Sequence, residues 1–175
     1  MLETDFARLF SSFERSAFRL ETLPTYCVAG EVDEFAAFLA GRCLPAALDT
    51  EWHKLIARST TSGKSFERVH VVPSRLTPYL RFEFAWGYTY SAQAGERIFV
   101  LENDDPKSLF GDLPFVDFWL FDDTIAVEME YDGDGRFLQA HETGHNELDR
   151  YVECRSVVKA SSIPLEEYFA RKRRA

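Results

Sequence analysis

The stretch TPYLRFEFAWGYTYSAQAGE, Thr77–Glu96, holds six aromatic residues and decides the fold. Such an apolar segment cannot stay in water, so other elements must cover it. The alternation over residues 80–90 fits a half-buried strand, yet the same side chains also fit the spacing of a buried helix. Thr77 suits an N-cap, Pro78 suits the first helical position and Gly95 suits a stop. These boundary signals and the length favour a central helix.

The length and composition fit one globular domain over residues 1–175. The chain is 46% hydrophobic and 15% aromatic, which favours a real core over disorder. Apolar runs are too short to predict a membrane span, and the first residues lack the order of a signal peptide, so a cytoplasmic location is expected. Cys27, Cys43 and Cys154 form no CxxC pair, and reduced, buried thiols are expected.

The charge of the chain is uneven. Its net charge is −9, and residues 102–134 hold eleven acidic residues against one basic residue. This excess should repel nucleic acid, so no direct nucleic-acid binding is expected from the body of the domain. Residues 171–175 form a short basic tail, for which a solvated chain end is the favoured interpretation.

Helical spacing and turn signals predict an α+β fold. Helices are expected over Asp5–Glu21, Val32–Ala40, from Asp49 or Thr50 to about residue 58, over 78–92, from Asn146, and after Pro164. Strands are expected over Phe66–Val72, Arg97–Leu101, Val116–Phe121, Ile125–Tyr131 and Arg136–Ala140, with a further edge strand over Tyr26–Ala29.

The sequence therefore predicts an antiparallel sheet packed with N-terminal, central and C-terminal helices. Its centre is a meander over residues 116–140, because Asp132-Gly-Asp-Gly is a strong tight-turn signal between the last two strands. The strands near 66–72 and 97–101 complete the sheet.

One motif suggests metal chemistry. His141-Glu142-Thr143-Gly144-His145 matches HExxH, in which two histidines one helical turn apart bind zinc and the glutamate activates water. The segment lacks large apolar residues, and Gly144 weakens a helix. A turn before the next helix is therefore favoured. No cofactor is predicted, and a zinc-dependent hydrolase using His141, Glu142 and His145 is the minority alternative.

Two groups of charged residues are candidate binding sites. Arg68, His70, Arg81 and Glu83 punctuate apolar segments, so they predict either ion pairs that fix packing or a ligand pocket with aromatic walls. The second group lies on and beside one strand, and it predicts either a solvated sheet face or an acidic surface that binds a partner. Its members are Asp122, Asp123, Glu128, Glu130 and Asp132.

Short stretches spread over nearly the whole chain resemble a family of uncharacterised actinobacterial domains of about 160 residues. The most specific are LTPYLRFE (76–83) with AGE (94–96), and DFWLFDD (117–123). Others are FERSAFRLETLPTY (13–26), FAAFLAG (35–41), Trp52, RVHVV (68–72), YDGDGRF (131–137) and PLEEY (164–168). The resemblance implies one compact domain, supports a helix over 78–92 and excludes HETGH from the family pattern. Members often lie beside helix-turn-helix regulators, which implies a regulatory role with a protein partner.

Three functions follow, in order of preference. The first is a non-enzymatic regulatory or protein-interaction module that acts with a DNA-binding regulator. The second is a small-molecule sensor or enzyme with a pocket near Arg68, His70, Arg81 and Glu83. The third is the metal hydrolase. Neither a phosphate-binding loop nor a nucleophile motif is present, so the sequence leans away from an enzyme.

Overall fold

A seven-stranded sheet organises the molecule. The computed structural model describes residues 3–45 and 50–173, and in it the strand order is β6-β5-β4-β1-β2-β3-β7. The strands are β1 Ser16–Glu21, β2 Ser65–Val72, β3 Arg97–Glu102, β4 Phe118–Phe121, β5 Ile125–Tyr131, β6 Phe137–Glu142 and β7 Ile163–Pro164.

The sheet is mixed but mostly antiparallel. Pairings β1–β2 and β2–β3 are parallel, whereas β1–β4, β4–β5, β5–β6 and β3–β7 are antiparallel. The predicted α+β class and the meander formed by β4, β5 and β6 are confirmed. β1 sits at the centre, because it joins the meander to the parallel strands.

Helices cover both faces of the sheet. They are α1 Glu3–Ser12, α2 Val32–Leu39, α3 Glu51–Thr61, α4 Pro78–Phe82, α5 Tyr88–Gln93, α6 Pro106–Phe110, α7 Leu148–Ser161 and α8 Leu165–Lys172. One face packs against α7, whose Tyr151, Cys154 and Val158 are buried on Phe18 and Leu20 of β1 and their neighbours. We call the opposite face, covered by α1, α3 and the segment 78–93, the site face.

The predicted central helix is confirmed. It consists of α4, a π-helical turn at Glu83–Gly87 and α5. The Thr77 side chain accepts a hydrogen bond from the Leu80 amide at 3.1 Å, as expected of an N-cap. The helix covers β2 and β3, where Leu80 and its aromatic neighbours pack on Val72 and Val100.

The predicted helix over Asp5–Glu21 is wrong beyond Ser12. Residues 16–21 form the central strand β1, and all of them except Ser16 are buried. Because both faces of this strand are covered, it shows no clean alternation, and its pairing on both sides overrides the helical spacing of the apolar residues before it.

Other differences lie at the edges of elements. Tyr26–Ala29 forms no strand, and a 3-10 turn covers Ala29–Glu31. Strand β6 continues to Glu142, and a 3-10 turn at His145–Glu147 precedes α7, so Asn146 does not cap that helix. Helix α3 begins at Glu51 after the N-cap Thr50, and the alternative start at Asp49 lies outside the described residues.

Two smaller expectations also change. Cys27 and Cys43 are exposed, since both lie in irregular segments away from the core, whereas Cys154 is buried as expected. In the expected basic tail, Arg171 and Lys172 close α8, where they pair with Glu167 and Glu102 respectively. Residues 174–175 lie outside the described part of the chain. Among the described residues, no helix has the length and apolar character to cross a membrane.

Candidate functional site: a buried ion network beside an aromatic cavity

The registers of β1, β2 and β4 bring charged side chains together on the site face. Arg19 is opposite Arg68 and Trp119, and Glu21 is opposite His70. All four polar side chains are less than 10% exposed. Burying such groups is costly unless each finds a partner, so these partners define the site.

Glu21 is the first centre of the network. Its carboxylate accepts hydrogen bonds from Arg68 Nη1 and from the Tyr88 hydroxyl, both at 2.8 Å. Burial alone would raise the pKa of Glu21, but Arg68, His70 and Arg19 outweigh it and lower this pKa to about 2. Glu21 is therefore a carboxylate at neutral pH.

Arg68 lies between two carboxylates. Besides its bond to Glu21, its Nε donates to Glu96 Oε1 at 2.9 Å. Burial would lower the pKa of Arg68, but Glu21 and Glu96 raise it well above the usual value. The Arg68 guanidinium is thus charged and already neutralised by protein carboxylates.

His70 and Tyr88 extend the network towards the central helix. His70 lies 2.5 Å from the Tyr88 hydroxyl through Nδ1 and 2.9 Å from the Leu23 carbonyl through Nε2. Burial lowers the pKa of His70, although Glu21 partly opposes it. A neutral His70 donates from Nε2 to Leu23, so Tyr88 shares a single hydroxyl proton between His70 Nδ1 and Glu21.

Asp117 is the second centre. Its Oδ2 accepts from Arg19 Nη2 at 2.7 Å and from the Tyr26 hydroxyl at 2.6 Å, and its Oδ1 accepts from the Thr22 amide and hydroxyl at 2.8 and 2.7 Å. Arg19 Nη2 also donates to the Tyr131 hydroxyl at 2.8 Å. Asp117 therefore ties the start of β4 to the irregular segment that leads into the cavity wall.

A cavity of about 430 Å³ lies beside Arg68 on the site face. It is enclosed by the central helix, α3 and the segment from Val28 to Glu34. Its lining includes four aromatic side chains, those of Trp52, Phe82, Trp86 and Tyr88, together with His53 and three acidic residues, Glu31, Glu34 and Glu83. This volume and lining are typical of a small-molecule site.

Glu83 is the exceptional group of this cavity. It is 8% exposed, and no described residue forms a hydrogen bond or ion pair with its carboxyl group. Burial raises the pKa of Glu83 well above the usual range, and the nearby acids Glu31 and Glu21 add to the shift. An unpaired carboxyl in a cavity wall is available to a ligand.

The backbone makes room for Glu83 in two ways. In the π-helical turn the Tyr88 amide bonds to the Glu83 carbonyl five residues earlier, a geometry frequent at functional sites. A Cβ atom at position 87 would lie 2.8 Å from Glu83 Oε1, so Gly87 leaves the space that the carboxyl occupies.

The structure brings together three of the four residues predicted for a pocket. Arg68 and Glu83 line the cavity, and His70 lies behind it in the ion network. Arg81 is exposed, and its Nη1 donates to the Leu76 carbonyl at 3.2 Å instead. Arg68 forms ion pairs with Glu21 and Glu96, whereas His70 is held by hydrogen bonds to Tyr88 and Leu23.

Sequence reasoning missed several members of the site. These are Arg19, Glu21, Tyr26, Tyr88, Glu96 and Asp117. Charged residues inside apolar runs, as in AFRLE (17–21), were the available signal. The prediction of a helix over residues 16–21 obscured this signal. The strands that pair with these residues lie far along the chain, so the sequence nearby did not indicate them.

The five acidic residues of the predicted partner surface are engaged within the protein. Asp122 accepts from the amides of Glu14, Arg15 and Ser16 at 2.7 to 2.8 Å. Despite partial burial, these bonds lower the pKa of Asp122. Asp123 pairs with Arg155.

The remaining three also have partners. The hydroxyl of Tyr151 donates to Glu128, the side chain of Gln139 donates to Glu130 at 2.7 Å, and Asp132 accepts from the amides of residues 134 and 136 at 2.9 Å. The turn acids Asp122 and Asp123 lie at the opposite end of β5 from Asp132, so the group does not form one compact patch.

HETGH has no helical geometry. His141 and Glu142 end strand β6, and His145 begins the 3-10 turn before α7. His141 Nε2 lies 3.1 Å from Glu130 Oε2. Within residues 3–45 and 50–173, no group of three His, Cys, Asp or Glu side chains is placed to hold a metal ion.

Comparison with known proteins places the chain in a family. The model of a family described as domain of unknown function DUF6879 matches residues 4–170. The chain belongs to this family. The match confirms the resemblance to a family of uncharacterised domains of about this size.

No curated protein matches the chain. Among solved structures, a similar one is that of TrmBL2, an archaeal chromatin protein that shows a novel mode of DNA binding. The identity is 10% and the TM-score 0.42, over 96% of this chain and 48% of TrmBL2. The chain thus spans about half the length of that protein.

Proposed function

We propose that the domain is a non-enzymatic regulatory module that binds a small molecule in the cavity beside Arg68. The observation that supports this is the buried, unpaired Glu83 carboxyl in an aromatic-walled cavity of about 430 Å³. A purely structural core would pair or exclude such a group, because a mostly buried carboxyl without a protein partner costs free energy unless water or a ligand contacts it.

The ion network supports the proposal by holding the walls in place. Glu21 and Asp117 connect β1, β2 and β4 to the segment after Thr22 and to Tyr88 of the central helix. A cavity built on a rigid sheet loses less conformational entropy when a ligand binds. The Tyr88 hydroxyl lies beside His70 but is already bound to Glu21, so the site suits binding better than nucleophilic catalysis.

A fragment screen by ligand-observed NMR tests the proposal. The set contains cationic, neutral and anionic aromatic fragments. Two matched variants locate the binding: Ser91→Phe fills the cavity, since Ser91 is buried in its lining, and Ala85→Phe places the same side chain on the exposed side of the central helix. Binding by the wild type and Ala85→Phe, but not by Ser91→Phe, is expected. No bound fragment, or equal binding by Ser91→Phe, contradicts the proposal.

A second candidate is contact with a protein partner. The excess of acids over residues 102–134 supports a basic partner, such as the helix-turn-helix regulator that the family resemblance implies in an actinobacterial cytoplasm. Glu130 and Asp134 are the best residues for charge reversal, because both are exposed and neither caps backbone amides. Binding to such a regulator should weaken with salt and in Glu130→Lys/Asp134→Lys. Binding unchanged by either would contradict an acidic interface.

A further inference from the structure

The charges around the cavity determine which ligands it can hold. Of its described lining residues, Arg68 is the sole lysine or arginine, and Glu21 and Glu96 already neutralise it. Glu31, Glu34 and Glu83 also line the cavity. An anionic ligand would therefore meet an excess of carboxyl groups without a free guanidinium.

The walls of the cavity suit the same kind of ligand. Trp52, Phe82 and Trp86 present aromatic rings to it. Aromatic faces attract ammonium groups, most strongly when the contact excludes water, and they also pack against an apolar ligand body. Carboxylates and aromatic rings together are the usual chemistry of organic-cation recognition.

We propose that the cavity selects a small organic cation, with its ammonium head against Glu83 and its apolar body between Trp52 and Trp86. The inference rests on the proposed function, since it names the ligand class of the same cavity. Glu31 is a weaker acceptor than Glu83, because it already accepts a hydrogen bond from the Tyr79 hydroxyl at 2.8 Å.

Binding of a cation should release a proton. Burial and neighbouring acids raise the pKa of Glu83, so without a ligand its carboxyl group keeps a proton to a higher pH than a free glutamate does. An ammonium ion favours the carboxylate form, and the proton leaves to solvent. The affinity for the cation should therefore rise with pH until Glu83 is ionised in the protein without ligand. The charged and titratable groups that act on Glu83 are Glu21 from β1, Arg68 from β2, Glu31 before α2, Tyr79 and Tyr88 from the central helix, and Glu96 before β3. Glu34 of α2 and His53 of α3 also line the cavity.

Matched probes test this selectivity. Benzylamine, benzyl alcohol and benzoate share a ring and differ in charge, and benzyltrimethylammonium keeps the charge without N–H donors. Titration calorimetry in buffers of different ionisation enthalpy gives affinity and proton release together. We expect both cations to bind about tenfold or more tightly than benzyl alcohol, benzoate to bind most weakly, and benzylamine to release protons at pH values where the unliganded Glu83 is protonated.

The variant Glu83→Gln separates a ligand contact from a structural role. It should weaken benzylamine by about tenfold or more, abolish proton release and leave benzyl alcohol within about twofold. Glu153→Gln, at an exposed glutamate of α7, is the control and should change nothing.

The outcomes distinguish the two proposals. Benzyl alcohol or benzoate binding as tightly as benzylamine, or benzylamine binding unaffected by Glu83→Gln, overturns the cation inference and leaves a ligand cavity. Absence of binding by every probe and every fragment overturns both.

Discussion

Replacement of Asp117 by asparagine should destabilise the fold strongly while barely changing its shape. Asp117 is 3% exposed and accepts four hydrogen bonds, two at each oxygen. Asparagine keeps the oxygen that faces Thr22 but presents an NH2 group to Arg19 and Tyr26, which are both donors. Two hydrogen bonds to a charged group are lost, at about 1.5–3 kcal/mol each, so the free energy of unfolding should fall by about 3–6 kcal/mol.

Urea denaturation followed by tryptophan fluorescence measures this loss. Domains of this size are stable by about 5–15 kcal/mol, so Asp117→Asn should still fold at low temperature. Tyr26→Phe is a milder companion, because it removes one donor and leaves the Arg19 pair intact. It should cost about 1–3 kcal/mol.

Asp134→Asn is the matched control. Asp134 pairs with Arg136 on the surface, where such pairs contribute about 0–1 kcal/mol. A loss below about 1 kcal/mol for Asp117→Asn, or one no larger than that of Asp134→Asn, would refute the assignment of Asp117 as a centre of the buried network.

Two further predictions concern titration and reactivity. Because the pKa of Glu21 falls from 4.5 to about 2 on folding, its contribution of about 3 kcal/mol is complete above pH 4.5 and disappears towards pH 2. Acid unfolding should therefore be less pH-dependent in Glu21→Gln, and identical acid profiles would contradict the network. Burial raises the pKa of the Cys154 thiol to about 12, whereas Cys27 and Cys43 are exposed. A thiol reagent at pH 8 should label those two cysteines in the native protein and all three in denaturant, and rapid labelling of Cys154 would contradict its burial.

The elements that local signals define could be predicted from the sequence. The central helix followed from Thr77, Pro78 and Gly95, and the meander followed from its turn residues, since caps and turns depend on neighbouring residues. β1 could not be predicted in the same way. Its pairing with β2 and β4 depends on residues far along the chain, and both its faces are covered.

The candidate site could be predicted only in part, for the same reason. Arg68, His70 and Glu83 were recognisable because charge interrupts an apolar run. The charge that Arg68 can offer a ligand depends on Glu21 and Glu96, which the fold brings to it from other elements. Sequence indicated that Glu83 was buried, but only the structure shows that it lacks a partner.

The central position of β1 has a consequence for how the chain folds. Ala17 pairs with Phe66 on one side and with Phe121 on the other. One edge of this early strand therefore stays unpaired until residues 118–121 of β4 have been synthesised, although its other edge can already pair with β2. Such distant pairings slow folding and leave strand edges open. β1 joins the two parts of the sheet, so its loss would separate the meander from the parallel strands, which include Arg68.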